Sequence, residues 1–156
     1  MNQHHFRIRP SAAIIRDGKV LLIECDDSNV GWHFNFPGGG LEPGEAIEAG
    51  LKREVLEETC ADVEVGKIIH FFEHIAKPAD WRIELNHSIM PLFECRLRNG
   101  SEPRMPNTPD LYQTGIRWAR LEELLGMPIL PGVSEQLVQA LGQAHEVFVH
   151  HECVIE

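Results

Sequence analysis

The stretch Pro37–Ala61, PGGGLEPGEAIEAGLKREVLEETCA, decides how this chain is read. Its second half, Glu45 to Thr59, has helical character. At about 100° per residue, with Gly50 at about 0°, Ile47, Leu51 and Val55 fall near roughly 60°, 100° and 140° and form an apolar stripe. On the same wheel Glu54 falls near about 40°, Glu58 near about 80° and Glu57 near about −20°. Glu58 therefore lies inside the stripe, Glu54 at its border and Glu57 beside them.

Three carboxylates so placed are unfavourable on ordinary grounds. Glu54–Glu57 and Glu54–Glu58 are like-charge pairs at i,i+3 and i,i+4, each costing about 0.2–0.5 kcal/mol. They stand in the last turn, where the helix dipole opposes anions by about 0.3–1 kcal/mol each. Burying an ionised carboxylate without a partner adds several kcal/mol more. A solvated face is the ordinary fate of an acidic cluster, but the wheel sets these acids on the face that packs. The placement calls for positive charge. Arg53 supplies one such charge, and a hard divalent cation such as Mg²⁺, which takes oxygen ligands, is the fuller answer.

The glycines point the same way. Gly50 in a helix interior costs about 0.5–1 kcal/mol against alanine, which predicts close approach of a strand or loop. Gly38-Gly39-Gly40 and Glu42-Pro43-Gly44 form a loop whose bare backbone can aim carbonyls at a metal or amides at phosphate. No Gly-Lys-Ser/Thr follows, and the spacing does not fit the dinucleotide fingerprint.

Outward from this segment the chain reads mostly as strands. Ala12–Cys25 is a hairpin turning at Asp17-Gly18, a two-residue turn signal between apolar runs. Trp32 to Phe36 is a short aromatic strand ended by Pro37. Val63–Ile75 has strand composition. Arg82–Leu97 alternates, with Ile83, Leu85, His87, Ile89, Phe93, Cys95 and Leu97 on one face and Pro91 marking a break, bulge or edge. Asn99–Gly115 is a loop with three prolines, Ile116–Ala119 a short strand and Leu121–Leu125 a short helix. Ser134 caps a last helix carrying Leu137, Val138 and Leu141. His145–Ile155 ends the chain as a strand. The sum is an α+β domain rather than a regular βαβ winding.

Length and composition bound the function. The 156 residues, 43% hydrophobic and 24% charged, are expected to form one domain over 1–156 with its own core. No run reaches the length of a membrane span, and Met1–Arg9 has no apolar leader segment. A net charge of −10, from 14 basic and 24 acidic residues, argues against a nucleic-acid polymer or an anionic membrane as partner. A small phosphorylated ligand stays open, since a divalent cation can sit between two anions. Cys25, Cys60, Cys95 and Cys153 are too sparse for a disulfide framework, so a reducing, cytoplasmic setting is expected.

Gly39, five residues, Glu45, seven residues, then Arg53-Glu54-Val55-Leu56-Glu57-Glu58 resembles the signature box of the Nudix hydrolase superfamily, which spans Gly39–Ala61 here. The flanking order is similar too: a hairpin before, Phe36-Pro37 leading in, and Arg117-Trp118-Ala119-Arg120-Leu121-Glu122-Glu123-Leu124 towards the end. The box of that family ends in glycine and an aliphatic residue, where this chain has Cys60 and Ala61. That glycine ends the helix in a left-handed conformation, a structural role rather than a chemical one.

The resemblance implies an α/β/α sandwich with a mixed β-sheet and a central catalytic helix. It also implies hydrolysis of a pyrophosphate bond in a nucleoside diphosphate linked to another moiety. By position, Glu54, Glu57 and Glu58 would hold Mg²⁺ or Mn²⁺ with the Gly39 carbonyl, and Arg53 would orient a box carboxylate. Glu45 would be a supporting acid, and Asp110 a further acid from outside the box. A divalent ion on the diphosphate neutralises its charge and activates water, and a glutamate not fully occupied as a ligand can take the proton. The expected partner is a small nucleotide-type substrate, and a homodimer is left open.

Two rival readings stand beside the hydrolase. One is a non-catalytic nucleotide-binding sensor of the same fold. Such sensors usually lose the box acids, which are all present here. The other is a prenyl diphosphate isomerase, which needs a reactive cysteine such as Cys25 or Cys95 in the cleft. Trp32, Trp81 and Tyr112 are expected in core or rim packing before base stacking, and His87 as a hydrogen-bonded histidine rather than a ligand. Pro78 stands near a position that marks some subgroups of the family.

Overall fold

Asp17 and Gly18 both take positive φ, 52° and 70°, and turn the first hairpin as their sequence requires. The computed structural model describes residues 6–75, 87–142 and 148–152, the last of these as backbone. Strands β1 (Phe6–Ile8), β2 (Ser11–Arg16), β3 (Lys19–Asp27) and β4 (Gly31–Asn35) precede helix α1 (Ile47–Thr59). Strands β5 (Val63–Ile75), β6 (His87–Leu97) and β7 (Gln113–Arg120) follow. A 3₁₀ turn (Leu121–Gly126), helix α2 (Glu135–Gly142) and β8 (Phe148–Glu152) complete the described chain.

The sheet is mixed. Its order is β4-β3-β2-β6-β5-β8, with β1 on β6 and β7 on β3. The β1–β6, β2–β6 and β5–β8 pairs are parallel and the rest antiparallel. β2 leaves β3 after the pairs Ile15↔Val20 and Arg16↔Lys19. Where they part, the segment after β4 fills the gap. Ser11 forms a β-bridge with Gly38, and the Ala12 N–H donates to the Pro37 carbonyl at 2.7 Å. The glycine loop is thus stitched into the fork between two strands.

The apolar runs of β2 and β3 are continuous because both faces are covered. Ala12, Ile14 and Leu21 pack with Leu51 and Val55 of α1, together with Val63 and Cys95. The alternate residues Ala13, Val20 and Leu22 pack with Leu124 of the 3₁₀ turn and Leu137 and Leu141 of α2. Helices therefore lie on opposite faces of the sheet, as the sandwich reading expects. Full burial of side chains such as Leu51 and Val55 contributes about 1.5–3 kcal/mol each.

Several expected boundaries shift. Helix α1 begins at Ile47 rather than Glu45, because the Glu42–Glu45 stretch closes a turn first. The Glu45 N–H donates to the Glu42 carbonyl at 3.0 Å, and the Glu42 N–H to Glu45 Oε2 at 3.0 Å. Ile47, at the helix entrance, is 40% exposed and stands outside the packed stripe. Gly50 does mark a close approach. A Cβ there would meet Leu41 Cδ2 and lie 2.8 Å from Glu45 Oε2.

Pro91 does not divide β6. It falls where the neighbour on one side changes from β1, at Ile8↔Ile89, to β2, at Ser11↔Leu92. β7 starts at Gln113, three residues before the expected strand. Ser134 caps α2, accepting the Leu137 N–H at 3.2 Å through its hydroxyl. Ile83, Leu85, Pro78, Trp81 and both ends of the expected His145–Ile155 strand lie outside the described residues.

Candidate metal and catalytic site

Helix α1 presents its last two turns to the glycine loop, and one arginine organises the near side. Arg53 Nε and Nη2 donate to Glu45 Oε1 and Oε2 at 2.8 and 2.9 Å, a two-bond fork across eight residues. Its Nη1 donates to Glu54 Oε1 at 2.8 Å and to Glu57 Oε2 at 3.3 Å. Its Nη2 also reaches the Gly40 carbonyl at 3.3 Å. The Arg53 guanidinium, and then the Glu42 N–H, pull the Glu45 carboxyl down to about 2. Glu57 is the outermost of the set, its side chain 56% exposed.

Glu58 is held differently. Its Oε2 accepts the Gly38 N–H at 2.8 Å, and no side-chain cation lies within ion-pair distance of it among the described residues. Burial pushes its carboxyl up to about 8. The Gly38 N–H and Arg9 oppose this, while the charges of Glu54 and Asp110 add to it. Gly38 reaches this position at φ 150°, where a Cβ would collide with the backbone of Pro10 and lie 2.7 Å from Ser11 Cα. Only glycine serves there. Gly39 meets the helix itself, since a Cβ on it would sit 2.5 Å from Glu54 Oε2.

The helix ends as the sequence allows, with Cys60 in the left-handed region at φ 54°, ψ 18°. Helix carbonyls left over at this end need donors. The Cys60 N–H bonds to the Leu56 carbonyl at 2.9 Å, the Arg104 N–H to Thr59 at 2.8 Å and Gln113 Nε2 to Glu58 at 2.8 Å. The last two come from the proline-rich loop and the start of β7. They bring Asp110 close enough for its charge to act on Glu58, while the Asp110 carbonyl accepts the Gln113 N–H at 3.0 Å.

Arg7 and Arg9 did not stand out in the sequence. The Arg7 guanidinium lies against Gly40, where a Cβ would approach Cζ to 2.9 Å and Nε to 3.2 Å. The charges of Glu54 and Glu58 reach Arg9. The available signal was the alternation Arg7-Ile8-Arg9, which puts both guanidinia on one side of an extended segment.

Other candidates settle into packing roles. Trp32 is a half-exposed rim residue whose Nε1 donates to Glu24 Oε1 at 2.8 Å, and its ring meets Phe34 edge-on at 4.8 Å. Tyr112 is exposed on the loop. His87 bonds to Glu73 Oε1 at 2.9 Å. Burial, and then the Glu58 charge, push the Cys25 thiol up to about 11, and burial pushes Cys95 to about 12. Neither is a thiolate near neutral pH, which removes the motive for a cysteine mechanism.

Among the described residues, no three acidic, histidine or cysteine side chains are already gathered to hold a metal ion. The bonds give the reason: Arg53 draws Glu54 and Glu57 to itself, and Gly38 holds Glu58. The donors nonetheless suit a hard divalent ion. They are carboxylate and carbonyl oxygens, with no Gly39 side chain in the way and a half-buried Glu58 short of counter-charge.

Residues 6–142 match the NUDIX domain family. The chain belongs to that family. It is 27% identical over 138 residues to the NAD-capped RNA hydrolase NudC of Stutzerimonas stutzeri (strain A1501), covering 88% of this chain. The match spans 45% of that relative, so the chain covers less than half its length. A NUDIX hydrolase from Nitrosomonas europaea has the same fold at TM-score 0.67 and 20% identity, over 88% of this chain and 87% of that one. A MutT NUDIX hydrolase from Burkholderia pseudomallei matches at TM-score 0.66 and 24% identity, over 91% and 100%. An ADP-ribose pyrophosphatase from Streptococcus suis 89-1591 matches at 0.64 and 21%, over 94% and 98%. The mixed sheet between helices is thus the Nudix fold. No helix among the described residues is long and apolar enough to cross a membrane.

Proposed function

We propose that this Nudix protein is a divalent-metal-dependent hydrolase that cleaves the pyrophosphate bond of a nucleoside diphosphate linked to another moiety. The observation that carries the reading is the half-buried Glu58 beside Glu54 on the face of α1 that meets the glycine loop. The hydrogen bond to its carboxyl from the Gly38 N–H offsets only part of its desolvation. Glu54, Glu57, Glu58 and the Gly39 carbonyl would hold Mg²⁺ or Mn²⁺, which when bound neutralises phosphate oxygens and activates water.

The chain's own residues do the rest. Arg53 carries the negative charge of Glu45 and keeps Glu54 aimed at the loop. Gly38 and its bridge to Ser11 fix the loop against Glu58. Glu58, where it is not fully occupied as a ligand, is the group to take a proton from the attacking water. Asp110, on a loop anchored to the helix end, is the acid from outside the box that biases Glu58 towards holding that proton.

The names of the relatives order the substrates to be tried: an NAD-type dinucleotide and ADP-ribose first, then nucleoside triphosphates and nucleotide sugars. The test is release of nucleoside monophosphate, phosphate or pyrophosphate over this panel with Mg²⁺ or Mn²⁺. Turnover is expected on at least one compound, with full loss in excess EDTA. Unchanged turnover in EDTA ends the metal-dependent reading. Tight nucleotide binding without cleavage on the panel replaces the hydrolase with the sensor.

A further inference from the structure

We propose that Arg7 and Arg9 bind the diphosphate of the substrate directly, from the β1 side of the glycine loop. The inference deepens the proposed hydrolase and rests on it for the identity of the ligand. Arg7 and Arg9 project to the same side of an extended segment, since alternate residues share a face. That segment is fastened to the glycine loop. The Leu41 N–H donates to the Ile8 carbonyl at 3.1 Å, and the Arg9 N–H to Ile89 at 2.8 Å. Arg7 covers Gly40, whose missing side chain gives the guanidinium its room.

The two guanidinia differ from that of Arg53. Arg53 has ion pairs to Glu45, Glu54 and Glu57. Among the described residues neither Arg7 nor Arg9 has a carboxylate within ion-pair distance. Burial, and then the Arg7 charge, lower the pKa of Arg9, while the charges of Glu54 and Glu58 work the other way. Two like charges side by side and partly withdrawn from water are costly unless an anion joins them. A phosphate group fits, because a planar guanidinium donates two parallel bonds to its oxygens.

Charge arithmetic favours the same conclusion. The site carries the carboxylates of Glu45, Glu54, Glu57 and Glu58 in a chain of net charge −10. One divalent ion and Arg53 leave a diphosphate facing surplus negative charge. Arg7 and Arg9 supply two further positive charges at the loop to offset it.

The test is calorimetric titration of the full chain with imidodiphosphate, a non-hydrolysable diphosphate, at saturating Mg²⁺. Mg²⁺ binding is measured separately. Wild-type protein is expected to bind the probe, with Arg7→Gln and Arg9→Gln each weakening it by about tenfold or more, on the scale of a charge-assisted hydrogen bond. Arg9→Lys should retain an intermediate affinity. Mg²⁺ alone should bind as well or better in the Gln variants, because a repelling charge has gone. Arg16→Gln, which breaks a surface pair with Glu102, should bind the probe like wild type.

The proposal is overturned if wild-type protein does not bind the probe, or if the Gln variants bind within about twofold of it. It is also overturned if they lose Mg²⁺ and the probe together, which is the mark of a merely structural counter-charge. Should Arg9→Gln fail to fold, Arg7→Gln and Arg9→Lys carry the test. Failure of the hydrolase reading looks different: no nucleotide is turned over, while probe affinity still depends on Arg7 and Arg9.

Discussion

Glu54 and Glu58 stand one turn apart on the same helix and live in opposite surroundings. Glu54 shares Arg53 with Glu45 and Glu57, so its charge is already answered. Glu58 is covered by the glycine loop and has one backbone N–H, and its carboxyl is pushed up to about 8 by burial. The helix places both acids on its inner face. What each meets there differs: Glu54 has a guanidinium, Glu58 a backbone N–H. One end of the cluster is a built ion-pair knot, and the other is a reserved position.

The sharpest way to break this contrast is Glu58→Gln. Turnover should fall by roughly 10²-fold or more on whichever nucleotide the wild type hydrolyses. Metal-free thermal stability should rise, because a strained acid has been neutralised. Near wild-type turnover at saturating Mg²⁺ removes Glu58 from the chemistry and leaves Glu54 and Glu57 as an incomplete pair.

Arg53→Ala attacks the other end. It releases three carboxylates onto one another, and stability should fall by about 2–3 kcal/mol. That corresponds to a melting temperature lower by roughly 5–10 °C. Added Mg²⁺ should recover part of the loss by taking up the freed acids. An unchanged melting temperature means that the knot is incidental.

The two ends should also tilt stability in opposite directions with pH in metal-free protein. Glu45 has a depressed folded pKa, so its contribution is present above the unfolded carboxylate value and fades as pH falls towards about 2. Glu58 has a raised folded pKa, so its contribution is complete below the unfolded value and fades as pH rises through about 8. Thermal melts from acid to mildly alkaline pH should show both slopes, with Glu45→Gln flattening the acid limb and Glu58→Gln the alkaline one. If Glu58→Gln leaves the alkaline limb as steep as before, Glu58 is ionised throughout and the contrast collapses.

The smallest effect is at the helix end. Cys60→Gly should stabilise by about 1 kcal/mol, because a side chain in the left-handed region carries a steric penalty that glycine avoids. A lower melting temperature would show that Cys60 packing outweighs that strain.

Much of this was legible in order of residues alone. The wheel put Leu51, Val55 and Glu58 inward because helical spacing is rigid over two turns, and Asp17-Gly18 named its own turn. The family pattern told where the helix should end, and Cys60 holds that conformation without the glycine. What stayed hidden depends on segments far apart in the chain meeting. The fork of Arg53 to Glu45 needs the Glu42–Glu45 turn, which also delays the helix start. Pro91 sits at a seam between two neighbouring strands that no local pattern announces. Arg7 and Arg9 gain their meaning only when β2 parts from β3 and admits the glycine loop beside them.

The bonds from Arg104 and Gln113 to the last carbonyls of α1 have an evolutionary consequence. Between these two anchors lies Met105–Tyr112, which carries Asp110 and is tied to β3 by the Asp26 N–H, which donates to the Tyr112 carbonyl at 2.9 Å. Leu111 is 86% exposed, so that side chain can be exchanged without moving the helix that carries Glu58. Change can therefore accumulate at that one surface position while the anchors from Arg104 and Gln113 keep the helix end fixed.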